Sequence, residues 1–130
     1  MITLHLSWPS RPLWQNTRTH WAQERDAKAK SRREAWAVAM EAGAHRLQIE
    51  RPILRFAFHP PDKRKRDAHN MPATMKAAID GIADAMQMDD ALFLVVWPRA
   101  FAEPVKGGLV VVQIEAVVPD FQVPLRGSIS

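Results

Sequence analysis

Four consecutive cations, Lys63, Arg64, Lys65 and Arg66, run directly into Asp67-Ala68-His69-Asn70. Downstream, Lys76 and Asp80 stand four residues apart, and Asp89-Asp90 form a second acidic pair. Cations attract polyanions and carboxylates attract Mg²⁺, so a site holding both suits a phosphodiester: one set holds its charge, the other activates it. Asp67 and Asp90 can supply oxygen ligands, with Asp89 beside Asp90 as a further donor. Mg²⁺ keeps several of its waters, so few carboxylates suffice. Lys76 can bind the scissile phosphate or stabilise the transition state. Asn70 suits fixing the loop or a water. His69 is open to three roles: a ligand better matched to Mn²⁺ or Zn²⁺ than to Mg²⁺, a general base, or a cation on phosphate. Against this stands a plainer possibility, a solvated basic turn and an i,i+4 surface ion pair.

The elements that must position these groups follow from periodicity. Residues 2–8 alternate apolar and polar, as a half-buried strand does, until Pro9 and Pro12 end it. The loop to His20 carries Arg11, Arg18 and His20 as phosphate-contact candidates. Trp21 to Ala44 reads as an alanine-rich helix free of proline, with Trp21, Arg25, Ala29, Arg32, Trp36 and Met40 near one stripe and Ala22, Ala35 and Ala39 beside it. Its central cations, Arg32 and Arg33 among them, offer contacts to a nucleic-acid backbone. Ile53 to Phe58 reads as a second strand stopped by Pro60-Pro61, which puts the basic run and Asp67-Asn70 in a loop at a strand end. Pro72 to Met86 reads as a second helix. Its buried stripe is Met75, Ala78, Ile79, Ile82, Ala83 and Met86, and the row Lys76, Asp80, Asp84 lies on another face. The apolar run Leu92 to Trp97 predicts a strand buried on both sides. Leu109 to Val118, rich in β-branched residues, predicts a last strand paired with it as a hairpin across a loop tipped by Lys106-Gly107-Gly108. Residues 119–130 predict a loosely held tail. The order β-α-β-α-β-β predicts an α+β domain, a small mixed sheet with two helices packed on it.

Composition bounds the rest. A chain of 130 residues, 47% hydrophobic and 25% charged, fits one globular domain. A formal net charge of +4 and a pI near 10.0 favour an anionic partner. There is no cysteine, which excludes disulfides and a thiolate zinc site and fits a reducing cytoplasm. The first residues lack the basic and long apolar regions of a signal peptide, and no segment approaches the roughly 20 apolar residues that span a bilayer. There is no Gly-rich phosphate loop, His-Glu-x-x-His pair or nucleophile elbow.

Lys63-Arg64-Lys65-Arg66-Asp67-Ala68-His69-Asn70, then Lys76-Ala77-Ala78-Ile79-Asp80, then Asp89-Asp90-Ala91 resemble the RusA family of Holliday junction resolvases, encoded largely by phages and prophages. The opening Leu6-Ser7-Trp8-Pro9-Ser10, the basic helix and Lys106-Gly107-Gly108 are also similar, so the likeness spans roughly residues 2–118. It implies a homodimer that cuts opposing strands of a four-way DNA junction with Mg²⁺ or Mn²⁺. Asp67 and Asp90 match that family's metal-binding carboxylates and Lys76 its essential cation, with Asn70 and Asp80 at supporting positions. His69 stands where many members have an Asp, and the stretch Met71 to Met75 is longer than in the shortest members. Leu92 to Trp97 and the edge of the last strand are the expected dimer surfaces. Two other classes compete: a branched-DNA binder without catalysis, of prophage origin, and a domain unrelated to nucleic acid whose charged loop is fortuitous.

Overall fold

The computed structural model describes residues 1–14 and 20–116. Arg18, the end of the expected last strand (117–118) and the expected tail (119–130) lie outside the described residues. The chain is an α+β domain with a four-stranded mixed sheet in the order β1-β4-β2-β3. The strands are β1 (Ile2–Leu6), β2 (Pro52–His59), β3 (Leu94–Val96) and β4 (Leu109–Ala116). The helices are α1 (Trp21–Glu41), α2 (Met71–Thr74) and α3 (Lys76–Met86).

β4 lies between β1 and β2, antiparallel to both, with Leu4 opposite Val112 and Leu54 opposite Ile114. Side chains alternate across a sheet, so this register sends Leu4, Leu6, Leu54, Phe56, Phe58, Val110, Val112 and Ile114 to one face. All eight are buried. α1 and α3 cover that face, and Ile82, Ala78 and Met75 close the core from the helical side.

β3 differs from the expectation twice. It is not a two-sided central strand but a short edge strand, parallel to β2, with Leu94 52% exposed. Nor does it form a hairpin with β4, which pairs elsewhere. β2, α3 and β3 instead make a crossover unit, since parallel neighbours need a long connection and α3 supplies it. The loop from Trp97 to Gly108 then crosses the end of the sheet. The Ala102 amide donates to the Phe58 carbonyl (2.8 Å) and Val105 to Pro60 (2.9 Å). An apolar run signals burial but does not say which strand lies beside it. β4, being interior, has no free edge to offer a second subunit.

The expected second helix is broken at Met75. The Thr74 hydroxyl donates to the Met71 carbonyl (2.6 Å), and the Met75 amide turns to Pro72 (3.1 Å), a tighter 3₁₀-type bond. A regular helix would send that amide to Met71. α3 therefore starts afresh at Lys76.

On α1 the packed residues are Ala35 and Ala39, which lie beside the stripe read from sequence. Trp21 and Trp36 are 64% and 44% exposed, while Ala35 and Ala39 are fully buried. The reason lies across the interface: a Cβ on Gly81 of α3 would collide with the Arg32 carbonyl oxygen and stand 3.1 Å from the Ala35 Cβ. Two helices this close admit only small side chains between them. Large aromatics are driven out of the contact whatever their hydrophobicity.

Candidate functional site

The register places Leu6, His59 and Leu109 at the same end of the sheet. Three connections therefore meet there: the segment after β1, the loop after β2 and the loop before β4. Trp8 is their common post. It packs against Trp14 and Phe101 (ring centroids 6.2 and 6.3 Å apart) and beneath the Arg66 guanidinium (5.9 Å). Gly108, at φ +79°, lies so close that a Cβ would meet that of Trp8 at 2.6 Å. The exposed Lys106 precedes this turn, so it shares an end of the molecule with the basic loop.

Lys76 opens α3 and projects its ammonium between two carboxylates, Asp80 Oδ1 at 3.5 Å and Asp90 Oδ2 at 3.4 Å. Asp80 follows from helical spacing. Asp90 comes from the next connection: α3 ends at Gln87 in a left-handed conformation (φ 54°), the chain turns back, and Asp90 opens a 3₁₀ turn. Asp80 first, then Asp90, raises the Lys76 pKa above the ordinary lysine value, so the group is a cation throughout the physiological range. Its side chain is 70% exposed and free to meet a ligand.

Asp67 and Asp89 each cap a 3₁₀ turn, their Oδ1 atoms accepting from the amides of His69 and Ala91 (both 2.9 Å). Thus His69 meets Asp67 through its backbone, and its ring is exposed. Asn70 leads into α2 without a side-chain cap bond. Among the described residues, no three His, Asp or Glu side chains come together as a metal-holding group. The structure brings Lys76, Asp80 and Asp90 together. It does not join Asp67, His69 and Asp89 to them as one ligand set.

The nucleic-acid candidates divide. Lys63, Arg64 and Lys65 are exposed, as is Arg33. Arg32 is engaged with Asp84 through two bonds (2.6 and 2.9 Å), which raises its own pKa and lowers that of Asp84. It still lines a groove of about 670 Å³ between α1 and the start of α3, with Lys28, Thr74, Lys76 and Asp80. Arg66 is turned inward. Glu34, not singled out from sequence, holds the end of β1 to α1 by accepting from the Ser7 hydroxyl and amide. No local pattern announces that pairing, because its partners are 27 positions apart.

No family model matches the chain. A protein of Xylella fastidiosa (strain Temecula1), described as an uncharacterized protein, is 37% identical over 120 residues, covering 90% of this chain and 78% of that protein. At that identity and coverage, the chain belongs to the same family as the Xylella protein.

Proposed function

We propose that the protein is a divalent-metal-dependent endodeoxyribonuclease that resolves four-way DNA junctions by paired phosphodiester cleavage, as its RusA-like motifs imply. The observation that carries this reading is the convergence of Lys76, Asp80 and Asp90 from two separate elements, in a domain whose basic loop leads into α2 and α3. A surface ion pair would need only Lys76 and Asp80. The reach to Asp90 gathers opposite charges at an exposed point, as a phosphodiester-handling site requires.

The donor type suits a hard cation. Asp90 offers oxygen alone, and its side chain, 39% exposed, is open enough to leave an ion its waters. It would hold Mg²⁺ or Mn²⁺ together with Asp67, His69 and Asp89, which must close in from the flanking turns, since among the described residues no three such side chains meet. When bound, such an ion supplies Lewis-acid polarisation of the phosphoryl group and neutralises its charge. Lys76, protonated throughout the physiological range, would exchange Asp90 for a phosphate oxygen and stabilise charge there. Asp80 keeps its ammonium oriented. Lys63, Arg64 and Lys65 hold the flanking backbone.

One observation favours a second reading, a branched-DNA binder without catalysis: the two carboxylates are already satisfied by Lys76, and no third ligand joins them. A labelled synthetic four-way junction incubated with Mg²⁺, Mn²⁺ or chelator separates the two. Paired, metal-dependent nicks are expected. Binding without nicks would replace the first reading by the second, and neither binding nor nicks would remove both.

A further inference from the structure

The basic run does not act as four equal cations. Arg66 Nη1 donates to the carbonyls of Asp62 (3.1 Å) and Arg64 (3.0 Å), and Nη2 lies 2.9 Å from Asp62 Oδ1. The same Asp62 Oδ1 accepts from the Arg64 amide at 2.9 Å. The Arg66 side chain is only 12% exposed and stands over the Trp8 ring. A planar guanidinium with fixed donors can tie two carbonyls and a carboxylate at once, which an ammonium on a flexible stem does poorly.

We infer that Arg66 and Asp62 form a clamp on Trp8 that fixes the backbone of residues 62–66, so that Lys63, Arg64 and Lys65 are presented as a preformed phosphate-binding turn. Arg66 is thus a positioning residue and not itself a phosphate contact. The occupant is a nucleic-acid backbone, and to that extent the inference rests on the function proposed above. Preorganisation is the gain: a loop already held in its binding shape loses less conformational freedom when a strand docks. The clamp also withstands acid. The Arg64 amide, then Arg66, holds the Asp62 carboxyl below its ordinary value, so the acceptor stays ionised until the pH falls through that lowered value.

Asp62→Ala gives the decisive sign. It removes a negative charge beside three cations, so a simple surface carboxylate would leave DNA binding tighter. The clamp requires it to be weaker, by about tenfold or more, in a fluorescence-anisotropy titration with a four-way junction. Arg66→Gln should weaken binding similarly while leaving the slope of log affinity against log salt unchanged. Lys63→Ala should reduce that slope by roughly 0.9, as a lost phosphate contact does. In cleavage, both clamp variants should raise KM and leave kcat alone, since neither group touches the reacting atoms. Tighter or unchanged binding by Asp62→Ala, or a slope reduced by Arg66→Gln, overturns the clamp. Hydrogen exchange on the protein without DNA keeps the two claims separate. Exchange of the Arg64 amide should accelerate in both clamp variants, and unchanged exchange sinks the clamp even if junction binding holds. If wild-type protein binds no DNA while the amide is deprotected in the variants, the functional reading falls and the clamp stands as a fold device.

Discussion

At the scale of single residues, each carboxylate has a second duty that shapes what its removal would do. Asp67 caps the turn leading into α2, a task asparagine performs as well as aspartate. Asp67→Asn should therefore keep the fold and junction binding and, if Asp67 is a ligand, lose cleavage by two orders of magnitude or more. Wild-type nicking by that variant would remove Asp67 from the metal set. Asp90→Asn should likewise abolish nicking without weakening attraction to phosphate. It also takes a carboxylate from Lys76, whose pKa should move back toward the ordinary lysine value, measurable by NMR titration of the ammonium. Because that pKa is raised, the ion pair's stabilisation is complete at neutral pH and fades only as alkaline pH passes through the raised value. For His69 the exposed ring leaves the metal question to chemistry. Imidazole favours Mn²⁺ relative to Mg²⁺ more than carboxylate does, so His69→Asp should raise activity in Mg²⁺ relative to Mn²⁺. An unchanged ratio across titrations of both ions would mean the ring never meets the metal.

At the scale of elements, what could be read from sequence was what local periodicity encodes. The stripe along and just before α3 is legible because Met75, Ala78, Ile79, Ile82, Ala83 and Met86 recur at helical spacing; the first five are buried and Met86 is partly so. β2 is legible by alternation and β4 by its β-branched run. On α1 periodicity marks a stripe with Ala35 and Ala39 beside it, but not which side packs, because that is decided by a neighbour distant in sequence: Gly81 brings α3 against Ala35 and the Arg32 backbone. That contact makes a sharp prediction. Gly81→Ala, a substitution that ordinarily favours a helix by about 1 kcal/mol, should instead destabilise by roughly 1–3 kcal/mol in urea unfolding, because the added methyl meets a backbone atom that cannot rotate away. A stabilised variant would mean the helices do not cross at this point. The nearby Arg32–Asp84 pair tests the same crossing by pH. Asp84 sits below its ordinary value, chiefly through the bond from Arg32, so its contribution is present above the usual carboxylate range and lost as pH falls through the lowered value. Wild type and Asp84→Asn should differ in urea midpoint at neutral pH and converge in acid. A constant difference would assign the effect to something other than the ion pair.

At the scale of the whole molecule, the candidate site was legible as a set of residue types but not as a geometry. Lys76 and Asp80 are one turn apart on any helix, so their meeting needed no fold. Asp90 joins them only because the chain reverses after Gln87, and Asp67 stays a separate cap because the loop after β2 makes its own turn. The order of the sheet bears on assembly in the same way. β4 is enclosed by β1 and β2, which among the described residues leaves β1 and β3 as the edges, and β3 exposes Leu94 beside Leu92. Unpaired strand edges with exposed apolar side chains are ready places for a second chain. Paired nicks on opposing strands need two sites, most simply related by a two-fold axis, in which one patch meets its own copy. The proposed resolvase should therefore be dimeric at micromolar concentration by light scattering. Leu94→Lys should shift it toward monomer, since a charge at a self-complementary patch faces its own like. The nicking of that variant should change in kind as well as in rate: single, uncoordinated nicks in place of paired ones, with Lys76, Asp80 and Asp90 intact. A monomeric wild-type mass, with and without junction DNA, would contradict the dimer. A dimer that survives Leu94→Lys would move the interface away from β3.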